Sequence, residues 1–128
     1  MPRPRWFPVA LCVVAAACGR HGARRLAPAP EAAPVDVLLH VINHHFLDVT
    51  VSIEHDGQRS RVGTVTAAAS AEFVVPLRLF GVSREFQLEG HAIGSMEVVR
   101  TERLTIRPGQ FIEWTLEHDL RRSSVGVY

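Results

Sequence analysis

From Val35 onward, apolar and polar residues alternate along the chain. VDVLLHVIN places Val35, Val37, Leu39 and Val41 on one side, and DVTVSIEH sends Val49, Val51 and Ile53 one way and Asp48, Thr50, Ser52 and Glu54 the other. A period of two, rich in branched residues, predicts strands with one face in a core and one in water. Asp56-Gly57 then predicts a two-residue hairpin turn, because both central positions of a type I′ turn need positive φ. QRSRVGTV reads as a polar strand with a bulge at Gly63. AEFVVP pairs Phe73 with Val75 and stops at Pro76, and REFQLEG sets Phe86 and Leu88 against Glu85, Gln87 and Glu89. MEVVRTERLTI predicts one longer strand with Leu104 and Ile106 as its best-buried pair. In Arg107-Pro108-Gly109-Gln110 proline stands second and glycine third, the composition of a type II turn. FIEWTLEH closes the set with Ile112, Trp114 and Leu116 inward, and SSVGVY predicts a short edge strand or a loose end.

No segment carries a helical stripe. AAASAEF (Ala67 to Phe73) has helix-forming alanines but is short and lies between strands. About seven short strands, with turn signals every 8–12 residues or so, predict an all-β fold, a single two-sheet antiparallel β-sandwich. It occupies residues 35–128, with 119–128 as its tail.

The N-terminal residues follow different rules. MPRPR carries Arg3 and Arg5 and no acid, and an apolar run from Trp6 to Ala17 follows, broken only by Pro8. A positive start, a short apolar stretch and a small-residue exit form the layout of a secretory signal peptide. The run is too short for a spanning helix, which needs about 20 apolar residues. Ala15-Ala16-Ala17-Cys18 resembles the lipobox of bacterial prolipoproteins, with Ala15 where leucine is common. The resemblance implies that residues 1–17 are removed as a lipoprotein signal peptide and that Cys18 begins the mature chain. Cys18 would then carry a covalent lipid that holds the protein to the membrane of a bacterial cell envelope. Gly19 in place of an aspartate implies the outer membrane. Cys12 lies in the discarded apolar run, so the mature body contains no further cysteine, which excludes disulfides and cysteine-ligated zinc within it. Residues 18–34, rich in alanine and proline (Pro28, Pro30, Pro34), hold too little apolar side chain to fold and read as a disordered tether.

Charge narrows the partners. All fourteen basic residues are arginines, and loss of Arg3 and Arg5 with the leader leaves twelve against thirteen acids. A near-neutral body argues against a nucleic-acid partner, which would leave a basic patch.

The turns and strands V-x-V-x-I…D-G…R-x-G-T-V…F-x-x-P…R-P-G-Q…W-x-L resemble the small immunoglobulin-like and carboxypeptidase-regulatory-like sandwiches of bacterial surface proteins. They also resemble envelope lipoproteins built as leader, linker and one such domain. The resemblance implies a non-catalytic module that binds or spaces something at the envelope, and it transfers no functional residue.

Candidate chemistry is sparse. Gly94-Ser95 lacks the strand-to-helix context of a nucleophile elbow, and the carboxylate pairs Glu54/Asp56 and Glu117/Asp119 read as solvated strand ends. No enzyme and no cofactor beyond the covalent lipid on Cys18 is expected. Alternating strand direction brings His44, His45, His91 and His118 to one end of the sandwich, and imidazole is a good ligand for copper or zinc. The plainer reading is that these are surface-loop histidines. The connection LRLFGV (Leu77 to Val82) is unusually apolar, and so is Ile93-Gly94-Ser95-Met96. Leu79, Phe80 and Val82 either cap the core or form an exposed contact patch. Three functions are open: an envelope binding or structural module, a periplasmic metal-binding protein with a histidine rim, or an accessory subunit of an envelope complex.

Overall fold

The structure, a computed structural model, describes residues Val35–Tyr128; the predicted leader and tether, with Cys18, lie outside the described residues. Two sheets face each other. One runs β4 (Ser70–Pro76), β1 (Asp36–Asn43), β8 (Ile112–Leu116), β9 (Ser124–Val127). The other runs β3 (Gln58–Val65), β2 (Val49–His55), β5 (Glu85–Ala92), β6 (Val98–Arg100), with β7 (Leu104–Thr105) also pairing with β5. The protein is an all-β sandwich, and the unit Ala32–Tyr128 is compact by itself.

Two details differ from the expectation. The described residues form nine strands rather than about seven, because the tail adds a strand of its own and MEVVRTERLTI is broken in two. Thr101 breaks it: its hydroxyl accepts the Leu88 N–H at 2.9 Å and donates to the Glu102 carbonyl at 2.9 Å, ending the ladder after Arg100. Of the expected pair, Ile106 is fully buried while Leu104 is half-buried. The sandwich is also not wholly antiparallel, since β1 and β8 pair in parallel, Val41 beside Trp114. The tail takes the first of its two expected forms: β9, an edge strand antiparallel to β8.

The turns follow their chemistry. Asp56 and Gly57 both have positive φ, at 48° and 75°, and His55 pairs directly with Gln58. The β2–β3 register shifts between Val51 and Ser52, where Val51 faces Gly63 and Ser52 faces Arg61, so the predicted bulge is present.

The core is built from the inward positions of both sheets. Val37, Leu39 and Val41 of β1 meet Val49, Val51 and Ile53 of β2, all fully buried. Trp114 is 1% exposed and reaches across to the second sheet at Gly90, where a Cβ would stand 3.0 Å from the indole. A side chain at position 90 would displace the largest residue of the core.

Candidate functional site

Four regions of the sandwich carry polar or apolar groups that strand alternation alone does not explain. The first is the end bearing the histidines. Asn43 occupies the inward position after Val37, Leu39 and Val41 and is 1% exposed. Its amide nitrogen lies 3.0 Å, 3.3 Å and 3.1 Å from the carbonyls of Leu47, Val65 and Thr66, and its Oδ1 accepts the His45 N–H at 2.9 Å. His45 is fully buried, which corrects the surface-loop reading for this residue. Its Nδ1 accepts the Leu47 N–H at 3.1 Å, so the neutral ring carries its proton on Nε2, which faces the Glu97 carboxylate at 3.0 Å. Buried polar atoms of this kind need partners, and these have them. The Asn43–His45 pair locks the β1–β2 connection to the end of β3.

The other histidines of that end are engaged separately or lie open. His44 Nδ1 lies 3.4 Å from Glu117 Oε2. His91 is exposed on the outer side of β5, between Thr50 and Val98, and His118 lines a shallow recess of about 420 Å³ with Met96, Val98 and Leu120. Among the described residues no group of three or more His, Cys, Asp or Glu side chains is placed to hold a metal ion. His44, His45, His91 and His118 are not brought together as a ligand set.

The second region is the opposite end. Phe80, in a short 3₁₀ turn at Leu77–Phe80, is fully buried and meets Phe86 edge-on, ring centres 4.6 Å apart. Of the two readings of Leu79, Phe80 and Val82, this is the one in which they cap the core, and it removes the contact patch as a unit. Phe80 plugs the core, Leu79 packs half-buried against it, and only Val82 is left fully exposed. The apolar character of this connection is spent on closing the sandwich. Nearby, Glu54, His55, Asp56, Glu85, Gln87 and Arg103 line a polar recess of about 150 Å³. Glu54 Oε2 and His55 Nδ1 are buried there without a hydrogen-bond partner, a place for solvent to complete the pairing.

The third region is the outer face of the five-stranded sheet. Glu89 points outward on β5, yet its side chain is only 6% exposed, covered by Arg59 at 3.0 Å and Arg100 at 2.6 Å. Hydrogen bonding and charge from Glu89, with a smaller contribution from Glu54, hold the Arg100 guanidinium above its ordinary pKa. Strand pairing aligns these side chains, Glu89 opposite Ser52 on one side and Arg100 on the other.

The fourth is the outer face of the four-stranded sheet. Leu38 stands opposite Val74, and one residue before the Leu39–Ile112 pair it lies beside Phe111. Phe111 exchanges backbone hydrogen bonds with Tyr128, both 3.0 Å, and the two rings stack at 5.2 Å. Val74, Leu38, Phe111 and Tyr128 therefore form one row across the width of the sheet, and they are 68%, 38%, 42% and 62% exposed. The sequence reading assigned inward residues and passed over this row. Its signal is that DVLLHVIN and EFVVP are apolar on both faces, which alternation with one wet face does not produce.

No family model and no curated protein matches the chain. Among solved structures, it is similar to the NMR structure of a protein from Eubacterium rectale. That match has 14% identity and a TM-score of 0.45 over 78% of this chain and 93% of the other.

Proposed function

We propose that the protein is a lipid-anchored, non-catalytic interaction module of a bacterial envelope, which presents the outer face of its four-stranded sheet to a partner protein. The observation that carries this reading is the row Val74–Leu38–Phe111–Tyr128. A contiguous exposed apolar surface, two of whose members are aromatic, is the kind of patch that marks a contact site. The leader and Cys18 supply the anchor in this reading, and the Ala/Pro tether spaces the sandwich from the membrane.

Cross-linking in intact envelopes tests the face. The wild-type chain is expected to give a defined cross-linked species that disappears with Leu38→Arg/Val74→Arg, while both proteins stay in the membrane fraction. An identical cross-linking pattern for the two would overturn the docking face. Separately, Cys18→Ser is expected to release the protein from the membrane fraction as an unprocessed precursor.

A further inference from the structure

A sheet edge is a template for another strand, and native edges are blunted by charge, proline, bulges or shortness. Three edges of this sandwich are blunted in these ways. The β3 edge carries Arg59 and Arg61 and the bulge beside Gly63. The β4 edge carries Glu72 and ends at Pro76, and β6 is three residues long and ends in Arg100. The β9 edge is also short, at four residues, but its sequence Ser-Val-Gly-Val carries no charge and no proline, and its register with β8 has no bulge.

The ladder fixes which groups of β9 are free. Phe111 and Tyr128 exchange both backbone bonds, so by antiparallel alternation Glu113–Gly126 and Thr115–Ser124 are the other bonded pairs. The N–H and C=O groups of Val125 and Val127 therefore point away from β8, and among the described residues no strand pairs with them. Beside them the flank between the sheets is open as a groove of about 340 Å³, lined by Val99, Trp114 and Val125 with Ser123 and Ser124 at its rim.

We propose that β9 is a self-pairing edge, on which a second copy of this chain docks its own β9 in antiparallel two-fold register. The sequence V-G-V is its own complement. Setting Gly126 opposite Gly126 of the second copy puts Val125 opposite Val127 in both directions, and these two pairs exchange four backbone hydrogen bonds. The central pair is then the narrow, unbonded kind, with Cα atoms about 4.5 Å apart, where cross-strand side chains crowd most. Glycine leaves that point clear, and it also leaves room for the Tyr128 ring, which lies 2.6 Å from where a Cβ on Gly126 would stand. The two four-stranded sheets join into one, and the second copy's strand lies across the mouth of the Trp114 groove. An interface this short belongs to the weak, transient class.

The unit Ala32–Tyr128, compact by itself and free of cysteine, allows the test. Sedimentation equilibrium from about 10 µM to about 1 mM, the range of a transient interface, is expected to show the mass rising toward twice the monomer. Val125→Pro removes an outward N–H and no bond to β8, so it is expected to stay monomeric while keeping a cooperative urea transition. Should that variant unfold, a cysteine pair decides. Gly126→Cys/Tyr128→Ala, which removes the ring that a Cβ at 126 would meet, is expected to cross-link to a dimer under mild oxidation, whereas Arg59→Cys on the β3 edge is expected to stay largely monomeric. Self-pairing is overturned by a monomer at every concentration, by a dimer that folded Val125→Pro leaves intact, or by equal cross-linking at both positions. Pairing of β9 only with a strand of a different protein also overturns it. Leu38→Arg leaves the dimer intact, which separates this edge from the docking face proposed above.

Discussion

The two sheets of this sandwich solve the same problem on opposite terms. Each must bury its inner side chains and leave its outer face to something else. On the five-stranded sheet that something is water, and the outer face shows it: Arg59 and Arg100 flank Glu89, Arg100 also lies 3.8 Å from Glu54, and the long arginine stems cover the carboxylate they pair with. On the four-stranded sheet the row beside His40 and Glu113, which lie 3.6 Å apart, is apolar from Val74 to Tyr128. One face pairs most of its charges within its own sheet. The other leaves an apolar row exposed. The difference teaches that alternation governs the inner faces of both sheets, while the outer faces are free to differ in chemistry.

The largest expected effect tests whether both faces rest on one core. Trp114 belongs to the four-stranded sheet, and its indole reaches Gly90 of the other, 3.0 Å from where a Gly90 Cβ would lie. Trp114→Ala removes the largest buried side chain, and such truncations cost about 3–5 kcal/mol. Single domains hold about 5–15 kcal/mol in total, and the body has no disulfide to offset the loss. The variant is expected to lose most of its cooperative urea transition. In the wild type, emission from Trp114, the one tryptophan among the described residues, is expected to be blue-shifted and to move red on unfolding. Emission already at the free-indole position in the native protein would mean that the two sheets do not share this core.

The next effect separates the faces. Glu89→Ala on the five-stranded sheet removes a nearly buried carboxylate that two arginines hydrogen-bond. Bonds to charged groups contribute about 1.5–3 kcal/mol, and both arginines are half-exposed and recover water. A loss of about 2 kcal/mol is expected, read as a lower urea midpoint with an unchanged slope. A midpoint within error of wild type would show that the charged face contributes nothing to folding.

Much of this architecture was legible in the residues. The inward sets of β1, β2, β5 and β8 followed alternation, and Asp56-Gly57, Gly63 and Arg107–Gln110 marked turn, bulge and turn. At the last of these Gln110 N–H donates to the Arg107 carbonyl at 3.1 Å with Gly109 at φ 88°. What escaped was set by contacts distant in the chain. The parallel β1–β8 pair places a strand beside a partner about seventy residues away, a juxtaposition no local period encodes. Thr101 looks like an ordinary strand residue until Leu88 supplies the N–H that its hydroxyl accepts. His45 shows the same limit from the other side: a loop histidine became a buried clamp because neighbouring connections closed over it, while at Phe80 the sequence left capping and exposure open and the fold chose capping.

The smallest expected effect on stability falls on the apolar row, and its smallness is the point. Leu38 and Val74 lie on the outer face, so Leu38→Arg and Val74→Arg leave the inner contacts of β1 and β4 in place. Long side chains on a strand surface lay their stems over neighbouring apolar groups and keep the charge in water, so the arginine at position 38 shields part of Phe111. Substitutions at exposed positions stay within about 0.5 kcal/mol, well below the change expected at Glu89. An equal urea midpoint for Leu38→Arg, together with loss of the envelope cross-link, means the row serves contact. A loss of about 2 kcal/mol or more would instead give the row a share in the fold, like that of the Glu89 cluster. The contrast between the two faces would then fail.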